Sequence, residues 1–216
     1  CTSQVAIEDT ISPDAVCTPF VVQLDANGTV LILPSDIDLN SSDNCAIDNL
    51  ALDQDTFDCS EVGTNTVTLT VTDANGNSSV CTADVIVEEN LPPVTACQDI
   101  TIYLDAQGNA SILPADVDAG STDNCAIDTM YVTPNDFTCS GVGLNPVVLT
   151  VIDVNGNVSS CSSVVTVNDT ISPTAICQDI TVQLDTLGNA SINPEEIDNG
   201  SSDACGITGF TVDVST

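Results

Sequence analysis

The clearest alternation of hydrophobic and polar positions lies between Asn65 and Glu89. Val67, Leu69 and Val71 alternate with threonines, and a second alternating set runs from Cys81 to Val87. Because successive side chains of a strand point to opposite faces, this pattern predicts two strands that each bury one face. The Asp-Ala-Asn-Gly-Asn segment between them predicts the turn of a β-hairpin.

The hairpin is one part of a pattern that returns every eighty residues. The cysteines fall into four series at this spacing: Cys1, Cys81 and Cys161; Cys17, Cys97 and Cys177; Cys45, Cys125 and Cys205; Cys59 and Cys139. A proline-containing segment follows each boundary, which predicts the tail of one repeat at 1–9, whole repeats at 10–89 and 90–169, and the beginning of another at 170–216. The odd number of cysteines leads us to expect a segment of a longer secreted protein.

Each repeat is predicted to be β-structure throughout. Runs of Thr, Val and Ile are separated by Gly, Asn, Asp and Pro at short spacing, and no amphipathic helical pattern occurs. About seven short strands in a repeat of this length are typical of an immunoglobulin-like sandwich. The predicted fold class is therefore all-β, as tandem immunoglobulin-like β-sandwich repeats of eighty residues.

The facing of the strands selects the turn type. A two-residue turn at Asn75-Gly76 would put the apolar faces of the two strands on opposite sides of the sheet. A three-residue loop at 74–76 pairs odd-numbered with odd-numbered residues and turns both apolar faces to the core. The earlier hairpin of each repeat has a glycine three residues after an aspartate, so we expect the same loop there, ending at Gly28, Gly108 and Gly188.

The composition excludes several kinds of partner. The chain has no Lys, Arg or His, and its formal net charge is −32. Nucleic acid and anionic membranes are therefore excluded as partners, because no positive side chain exists to meet a phosphate. Eleven cysteines without C-x-x-C spacing or histidine indicate disulfides rather than zinc, which predicts an extracellular protein, either secreted or at the cell surface.

Strand directions suggest the disulfide partners. The strand after each boundary and the last strand of the repeat are expected to be parallel neighbours, and each carries a cysteine a few residues from the linker end. This arrangement predicts Cys17–Cys81 and Cys97–Cys161. The remaining cysteines are then expected to pair within their own repeats, as Cys45–Cys59 and Cys125–Cys139.

Acidic residues are predicted to gather at the tip of each repeat that faces the preceding linker. The linker, the loop after the second strand and the turn of the last hairpin supply them. The candidate metal ligands are Asp9, Asp36, Asp38, Asp43, Asp73 and Asn75 for the first whole repeat; Glu88, Glu89, Asp116, Asp118, Asp123, Asp153 and Asn155 for the second; and Asp169, Glu196, Asp198 and Asp203 for the third. All are oxygen ligands, and carboxylates gathered this closely repel one another without a cation, so the expected cofactor is Ca²⁺. For Asp25, Asp105 and Asp185, at the opposite tip, an ordinary turn role is the simpler interpretation.

Several segments resemble one known family. They are Asp-Thr-Ile-Ser-Pro-Thr-Ala-Ile-Cys from Asp169, Asp-Asn-Cys-Ala-Ile from Asp43, and the hairpin from Val71 to Val87. These segments are similar to the hyalin-repeat (HYR-like) modules of large bacterial surface proteins and adhesins, repeat by repeat along the whole chain. The resemblance implies immunoglobulin-like, extracellular modules linked to adhesion. The chain differs from that family in an extra cysteine pair and at the residue after the first cysteine, where the family commonly has proline and this chain has Thr18, Gln98 and Gln178.

Three classes of function are open. A structural role is favoured: a tandem array forming a stalk or fibre, stiffened at each joint by Ca²⁺ and within each repeat by disulfides. Its partners would be the neighbouring repeats and, if fibres form by self-association, other copies. An adhesin module that binds carbohydrate or protein ligands, with Ca²⁺ as a potential bridge, is the alternative. Catalysis is disfavoured because no His or Lys is available to activate a nucleophile, and because a carboxylate pair such as Asp116 and Asp153 recurs in each repeat.

N-glycosylation sequons are frequent, and most of them fall in predicted turns. They occur at Asn27, Asn40, Asn77, Asn109, Asn157, Asn168, Asn189 and Asn199. Turns favour Asn for conformational reasons alone, so the sequence leaves open whether these sites carry glycans.

Overall fold

The computed structural model describes residues 1–213, and its first whole repeat is a sandwich of two sheets. The strands in chain order are β1 (Phe20–Gln23), β2 (Thr29–Leu31), β3 (Ile47–Leu52), β4 (Thr56–Asp58), β5 (Gly63–Asp73) and β6 (Ser78–Glu88). One sheet has the order β1-β6-β5-β3, and the other pairs β2 with β4. A helical turn, α1 (Pro34–Ile37), follows β2, and a 3-10 turn (Cys59–Glu61) follows β4.

The second whole repeat has the same architecture. Its elements are β7 (Ile100–Tyr103), β8 (Asn109–Ser111), α2 (Pro114–Val117), β9 (Ile127–Thr133), β10 (Asp136–Thr138), a 3-10 turn (Cys139–Gly141), β11 (Gly143–Asp153) and β12 (Val158–Asn168). The sheets have the orders β7-β12-β11-β9 and β10-β8. Further along, the described residues form α3 (Pro194–Ile197) and isolated bridges such as Thr174–Ser202. The predicted all-β, tandem immunoglobulin-like sandwich is confirmed, with six strands in each whole repeat instead of about seven.

The β5–β6 hairpin has the predicted register. Leu69 lies opposite Cys81 and Val71 opposite Ser79, so odd-numbered residues face odd-numbered residues. The Asp73 amide donates to the Asn77 carbonyl across a three-residue loop in which Gly76 has φ +90°. Both apolar faces therefore point inward, and the buried side chains of β5 and β6 pack in one core with Phe57 of β4.

The predicted parallel neighbours and their disulfides are also confirmed. β1 pairs with β6 in parallel, and the last strand of the second repeat, β12, pairs with β7 in the same way. Cys17 lies just before β1, and Cys81 lies in β6 before the residues that pair with β1. These two cysteines form a disulfide, as do Cys97 and Cys161. Each closes a loop of 64 residues, which by the loop-entropy estimate contributes about 4 kcal/mol to stability.

The other two predicted disulfides, Cys45–Cys59 and Cys125–Cys139, are wrong. Cys59 bonds to Cys125, and Cys139 bonds to Cys205, so each of these disulfides joins one repeat to the next. Cys45, like Cys1 and Cys177, has no disulfide partner among the residues described.

The position of β3 explains the error. Cys45 precedes β3 and Cys59 follows β4, and a six-residue strand alone carries the chain about 20 Å. β4 pairs with β2 so that Asp58 lies opposite Thr29, which brings Cys59 beside Gly28 at the other end of the sandwich. We call the end with the 74–76 turn and Cys45 the leading tip, and the end with the 26–28 turn and Cys59 the trailing tip.

The chain divides into two compact units. The first contains Cys1–Val94 together with Thr122–Thr129 and Ile152–Val158; the second contains Thr95–Ser121, Met130–Val151 and the described residues from Ser159 onward. The leading-tip loops of the second repeat thus belong to the unit that holds the first repeat. No helix in the described part of the chain is long and apolar enough to cross a membrane.

Candidate metal centre at the joint between repeats

The joint is the place where the acid at the end of one repeat meets the leading-tip loops of the next. For the second repeat its acids are Glu89, Asp123 and Asp153, which all lie in the first compact unit. The strand ends put them there: Glu89 directly follows β6, and Asp153 is the last residue of β11. The side chains of Glu89 and Asp153 are only 5% and 2% exposed.

One amide ties two of these carboxylates together. The Asn157 Nδ2 donates to Glu89 Oε2 at 2.6 Å and to Asp153 Oδ2 at 2.9 Å. Asp153 Oδ1 also accepts the backbone amides of Asn155 and Asn157, each at 2.8 Å. Glu89 Oε1 accepts the backbone amide of Leu91 at 2.8 Å. Two carboxylates are therefore buried side by side, share one side-chain amide and have only neutral donors.

Asp123 supplies a third carboxylate, which is only half satisfied. Its Oδ1 accepts the backbone amides of Cys125 and Ala126, at 2.9 and 3.1 Å. Its Oδ2 is buried and has no hydrogen-bond partner. A buried carboxylate oxygen without a donor is costly, and either a bound cation or an ordered water would satisfy it.

The joint before the first whole repeat repeats the pattern with different details. Asp9, Asp43 and Cys45 each place one ligand atom within 4.8 Å of the others, and Asp9 Oδ2 is buried without a partner. Asn77 links the linker to the hairpin turn, because its Nδ2 donates to the Asp9 carbonyl at 3.1 Å and to Asp73 Oδ2 at 2.8 Å. Asp169, Asp203 and Cys205 form an equivalent group near the third repeat, although Cys205 is bonded to Cys139.

The remaining candidate ligands have other tasks in the structure. Asp36, Asp116 and Glu196 accept the backbone amide three residues earlier and so cap the one-turn helices. Asp38, Asp118 and Asp198 accept the amides of Ser41, Ser121 and Ser201 and shape the following loop. Asn75 and Asn155 donate their backbone amides within the hairpin turns, and Glu88 accepts from Gln23 and Asn90. The structure therefore brings the linker acid close to the acid at position 43 or 203 at the first and third joints. At the second joint it brings the linker acid Glu89 to the hairpin-turn acid Asp153, through Asn157.

Hydrogen bonding and charge shift several pKa values at the leading tip. Burial alone raises the pKa of Asp73, but the amides of Asn77, Asn75 and Gly76 outweigh it and hold the pKa below its usual value. The backbone amide of Ile11 lowers the pKa of Asp9. The Asp9 carboxylate beside it raises the pKa of the Cys45 thiol, which burial and the charges of Asp43 and Asp73 raise further. Asp9 and Asp73, whose pKa values are lowered, therefore remain charged at neutral pH.

The sequence analysis did not predict that one asparagine side chain would bridge the linker and the hairpin turn at a joint. Asn77 and Asn157 occupy the same place in successive repeats, directly after the Asn-Gly turn, and this repetition was the available signal. Because their side-chain amides are bound within the joint, we do not expect these two sequons to carry glycans.

The inter-repeat disulfide forms part of the same joint. Cys59 Sγ lies 3.6 Å from the Gly28 carbonyl oxygen and 3.6 Å from that of Asn124. Asn124 Nδ2 donates to the Asp25 carbonyl at 3.1 Å. The trailing tip of the first repeat is thus held against residues 124 and 125, which directly follow the metal candidate Asp123.

Comparison with known proteins does not assign the chain. No protein-family model matches the sequence. No curated protein matches it either. The resemblance to hyalin-repeat modules and the bacterial origin that it suggests therefore stay predictions.

Solved structures share features of the fold at low similarity. The first two domains (EC1-2) of human protocadherin-24 are 13% identical, with a TM-score of 0.39 over 74% of this chain and 100% of that one. Immunoglobulin domains 1–4 of sidekick-1 are 8% identical, with a TM-score of 0.37 over 74% of this chain and 50% of that one. An endo-fucoidan hydrolase of glycoside hydrolase family 107 is 17% identical, with a TM-score of 0.26 over 74% of this chain and 29% of that one. At these TM-scores and identities the likeness assigns neither a family nor an activity.

Proposed function

We propose that the chain is a structural part of an extracellular tandem-repeat protein, a stalk or fibre whose joints bind Ca²⁺. The observation that carries this proposal is the burial of carboxylates at the joint. Glu89 and Asp153 are almost fully buried around one amide, and Asp123 Oδ2 is buried without a donor. The chain contains no cationic side chain that could compensate their charge.

The donor set fits a hard divalent cation. Two carboxylates about 5 Å apart repel by roughly 3 kcal/mol at an effective dielectric constant near 20, so the pair Glu89 and Asp153 disfavours a joint without a cation. Carboxylate, amide and backbone oxygens are the ligands that Ca²⁺ prefers, and no imidazole or free C-x-x-C pair is present to favour a transition metal.

Particular residues would hold the ion at each joint. They are Asp9, Asp43 and Asp73 at the first, Glu89, Asp123 and Asp153 at the second, and Asp169 and Asp203 at the third. When bound, the cation supplies the positive charge that these carboxylates lack. The residues themselves place the linker acid of one repeat beside acids of the next. Their like charges repel one another, and a bound cation would turn that repulsion into an attraction that resists separation of those segments.

The disulfides support the extracellular assignment. Eight cysteines are paired in four disulfides among the described residues, and such bonds persist in oxidising compartments.

Neighbouring repeats are the first partners in this proposal. Self-association into fibres would have to overcome the charge of −32, which Ca²⁺ would also reduce.

Calcium-dependent thermal melting tests the proposal. Ca²⁺ at about 100 times its dissociation constant should stabilise the folded chain by about 2.7 kcal/mol relative to EDTA. The melting temperature should therefore rise with Ca²⁺ concentration and return on chelation, with a smaller effect of Mg²⁺ at the same concentration. Equal melting temperatures in Ca²⁺ and EDTA would contradict a calcium joint.

A second candidate function is binding of carbohydrate, as in an adhesin. Tyr103 on β7 and Tyr131 on β9 are 61% and 51% exposed, and the first repeat has Gln23 and Ala51 at these positions. Exposed aromatic rings are the groups on which sugars stack. A glycan array probed with the wild type and with Y103A/Y131A would separate the two functions: binding that the double variant loses supports the adhesin, and no binding supports the stalk.

A further inference from the structure

We propose that the Cys59–Cys125 and Cys139–Cys205 disulfides are second covalent connections in parallel with the peptide linkers, so that the chain stays continuous and carries tension after a linker is cleaved. This inference goes beyond the calcium joint, because it depends only on the covalent pattern of the chain. It assigns the inter-repeat disulfides a load-bearing role.

The four disulfides form an overlapping series. They join Cys17 to Cys81, Cys59 to Cys125, Cys97 to Cys161 and Cys139 to Cys205. Each one begins before the previous one ends. Every peptide bond between Cys17 and Cys205 is therefore spanned by at least one disulfide, and a single cut anywhere in that range leaves the two pieces covalently joined.

After a cut in the linker, only one disulfide keeps the two pieces of the chain joined. Residues 82–96 lie outside both intra-repeat disulfides, and only Cys59–Cys125 spans them. If all pairs lay within repeats, one cut in this linker would sever the array. The inter-repeat pairing removes that weak point, and Cys139–Cys205 does the same for residues 162–176.

The linker is also the part of the joint that a protease can reach. Asn90, Leu91 and Pro92 are exposed, and they belong to no strand or helix. Exposed segments without backbone pairing are the preferred sites of proteolytic nicking.

The bridging disulfide is better protected than the linker. Cys59 Sγ is half-buried and lies against the backbone of Gly28 and Asn124. A Cβ built on Gly28 would come within 2.5 Å of the Asn124 oxygen and 2.7 Å of Cys59 Sγ, so the backbone covers the sulfur closely. The connection that remains after cleavage is therefore less exposed than the linker that is cut.

Site-specific cleavage of the whole chain tests this directly. A recognition sequence for a specific protease is inserted between Asn90 and Leu91, and the folded protein is cut in the presence of EDTA and separately of Ca²⁺. We expect one band on a denaturing gel without reductant and two bands with it, in both buffers. Two bands without reductant would overturn the proposal.

Two further variants make the result specific to the inter-repeat disulfide. With C59S/C125S, the same cut should give two bands without reductant. An insertion at Asn75-Gly76 is spanned by both Cys17–Cys81 and Cys59–Cys125, so that variant should stay in one band even with C59S/C125S. Separation of the second variant would overturn the disulfide pattern itself.

A single-molecule tether then measures the load. The linker-cut chain, held by its two ends, should sustain force in EDTA until a reductant is added and then break. Rupture of the tether in EDTA without reductant would show that the joint is held by non-covalent contacts, which would overturn the load-bearing role without affecting the calcium proposal.

Discussion

At the scale of single residues, the acids of this chain are held by backbone amides in place of cationic side chains. Asp25, Asp73, Asp153 and Asp185 each accept two backbone amides through Oδ1, from the residues two and four positions later. This satisfies turn aspartates at both tips. The linker acid Asp9 and the loop acid Asp123 differ, because one carboxylate oxygen of each is buried with no donor. An oxygen that lacks a donor is free to bind a cation, whereas the Oδ1 atoms of the turn aspartates are already used to form the turn.

The turn aspartates make stability depend on acid. The backbone amides of Thr29 and Asn27 lower the pKa of Asp25. A carboxylate whose folded-state pKa is depressed stabilises the fold above its unfolded pKa of about 3.9 and loses that contribution as the pH falls through the folded value. D25N keeps an acceptor in the turn but removes the titration. We expect wild type to lose more melting temperature than D25N between about pH 4 and pH 2 in EDTA; equal losses would contradict the role of this carboxylate.

The unpartnered oxygen at the joint predicts a specific loss of calcium affinity. D123N removes one charged ligand, so calorimetric titration should show Ca²⁺ binding weakened by about tenfold or more, or ~1.4 kcal/mol. D105N is the matched control, because Asp105 accepts the Gln107 and Asn109 amides in the turn at the opposite tip. Weakening by D105N equal to that by D123N would place the ion elsewhere.

At the scale of elements, the hairpin β5–β6 and its bulged turn set the spacing of the joint. β5 ends at Asp73, and Glu89 directly follows β6, so the hairpin contributes one acid to each of two successive joints. The β2–β4 pair sets the trailing tip, because it fixes Cys59 beside Gly28. A joint therefore needs both the hairpin of one repeat and the short β2–β4 sheet of the other.

The trailing-tip turn predicts a difference between two equivalent glycines. Gly28 and Gly188 both have positive φ, +73° and +83°, so alanine is strained at either site by about 1–2 kcal/mol. Only at Gly28 would the new Cβ also collide with Asn124 and Cys59; at Gly188 it meets open space. We expect G28A to reduce the yield of the Cys59–Cys125 disulfide in non-reducing peptide mapping, while G188A leaves it unchanged. Full yield in G28A would contradict the close approach.

Element-scale patterns also show which parts of the fold were predictable. The β5–β6 hairpin was predictable because its long alternation fixes both register and turn. β4 has three residues, Thr-Phe-Asp, which is too short for an alternation to be recognised. The position of Cys59 depends on that strand, and the wrong pairing with Cys45 followed from it. For the site, the sequence analysis predicted Asp36 as a metal ligand, although the Pro34 that precedes it is a helix-start signal that could have assigned Asp36 to a cap. The meeting of Glu89 and Asp153 depends on topology, which the local sequence does not show.

At the scale of the whole molecule, a charge of −32 must be balanced for the repeats to remain together. Overlapping disulfides prevent separation of the pieces, but they do not reduce the repulsion at the joints. In this account Ca²⁺ reduces that repulsion, because it binds where the buried acids concentrate negative charge, between successive repeats. Stiffness should therefore depend on the cation, and covalent continuity should not.

Small-angle X-ray scattering of the whole chain, in Ca²⁺ and then in EDTA at the same ionic strength, tests the calcium joint most directly. We predict a reproducible change on chelation, with a narrower distance distribution and a larger maximum dimension in Ca²⁺ than in EDTA, and a much smaller change for a D123N variant. Superimposable scattering curves of the wild type in the two buffers would contradict the account.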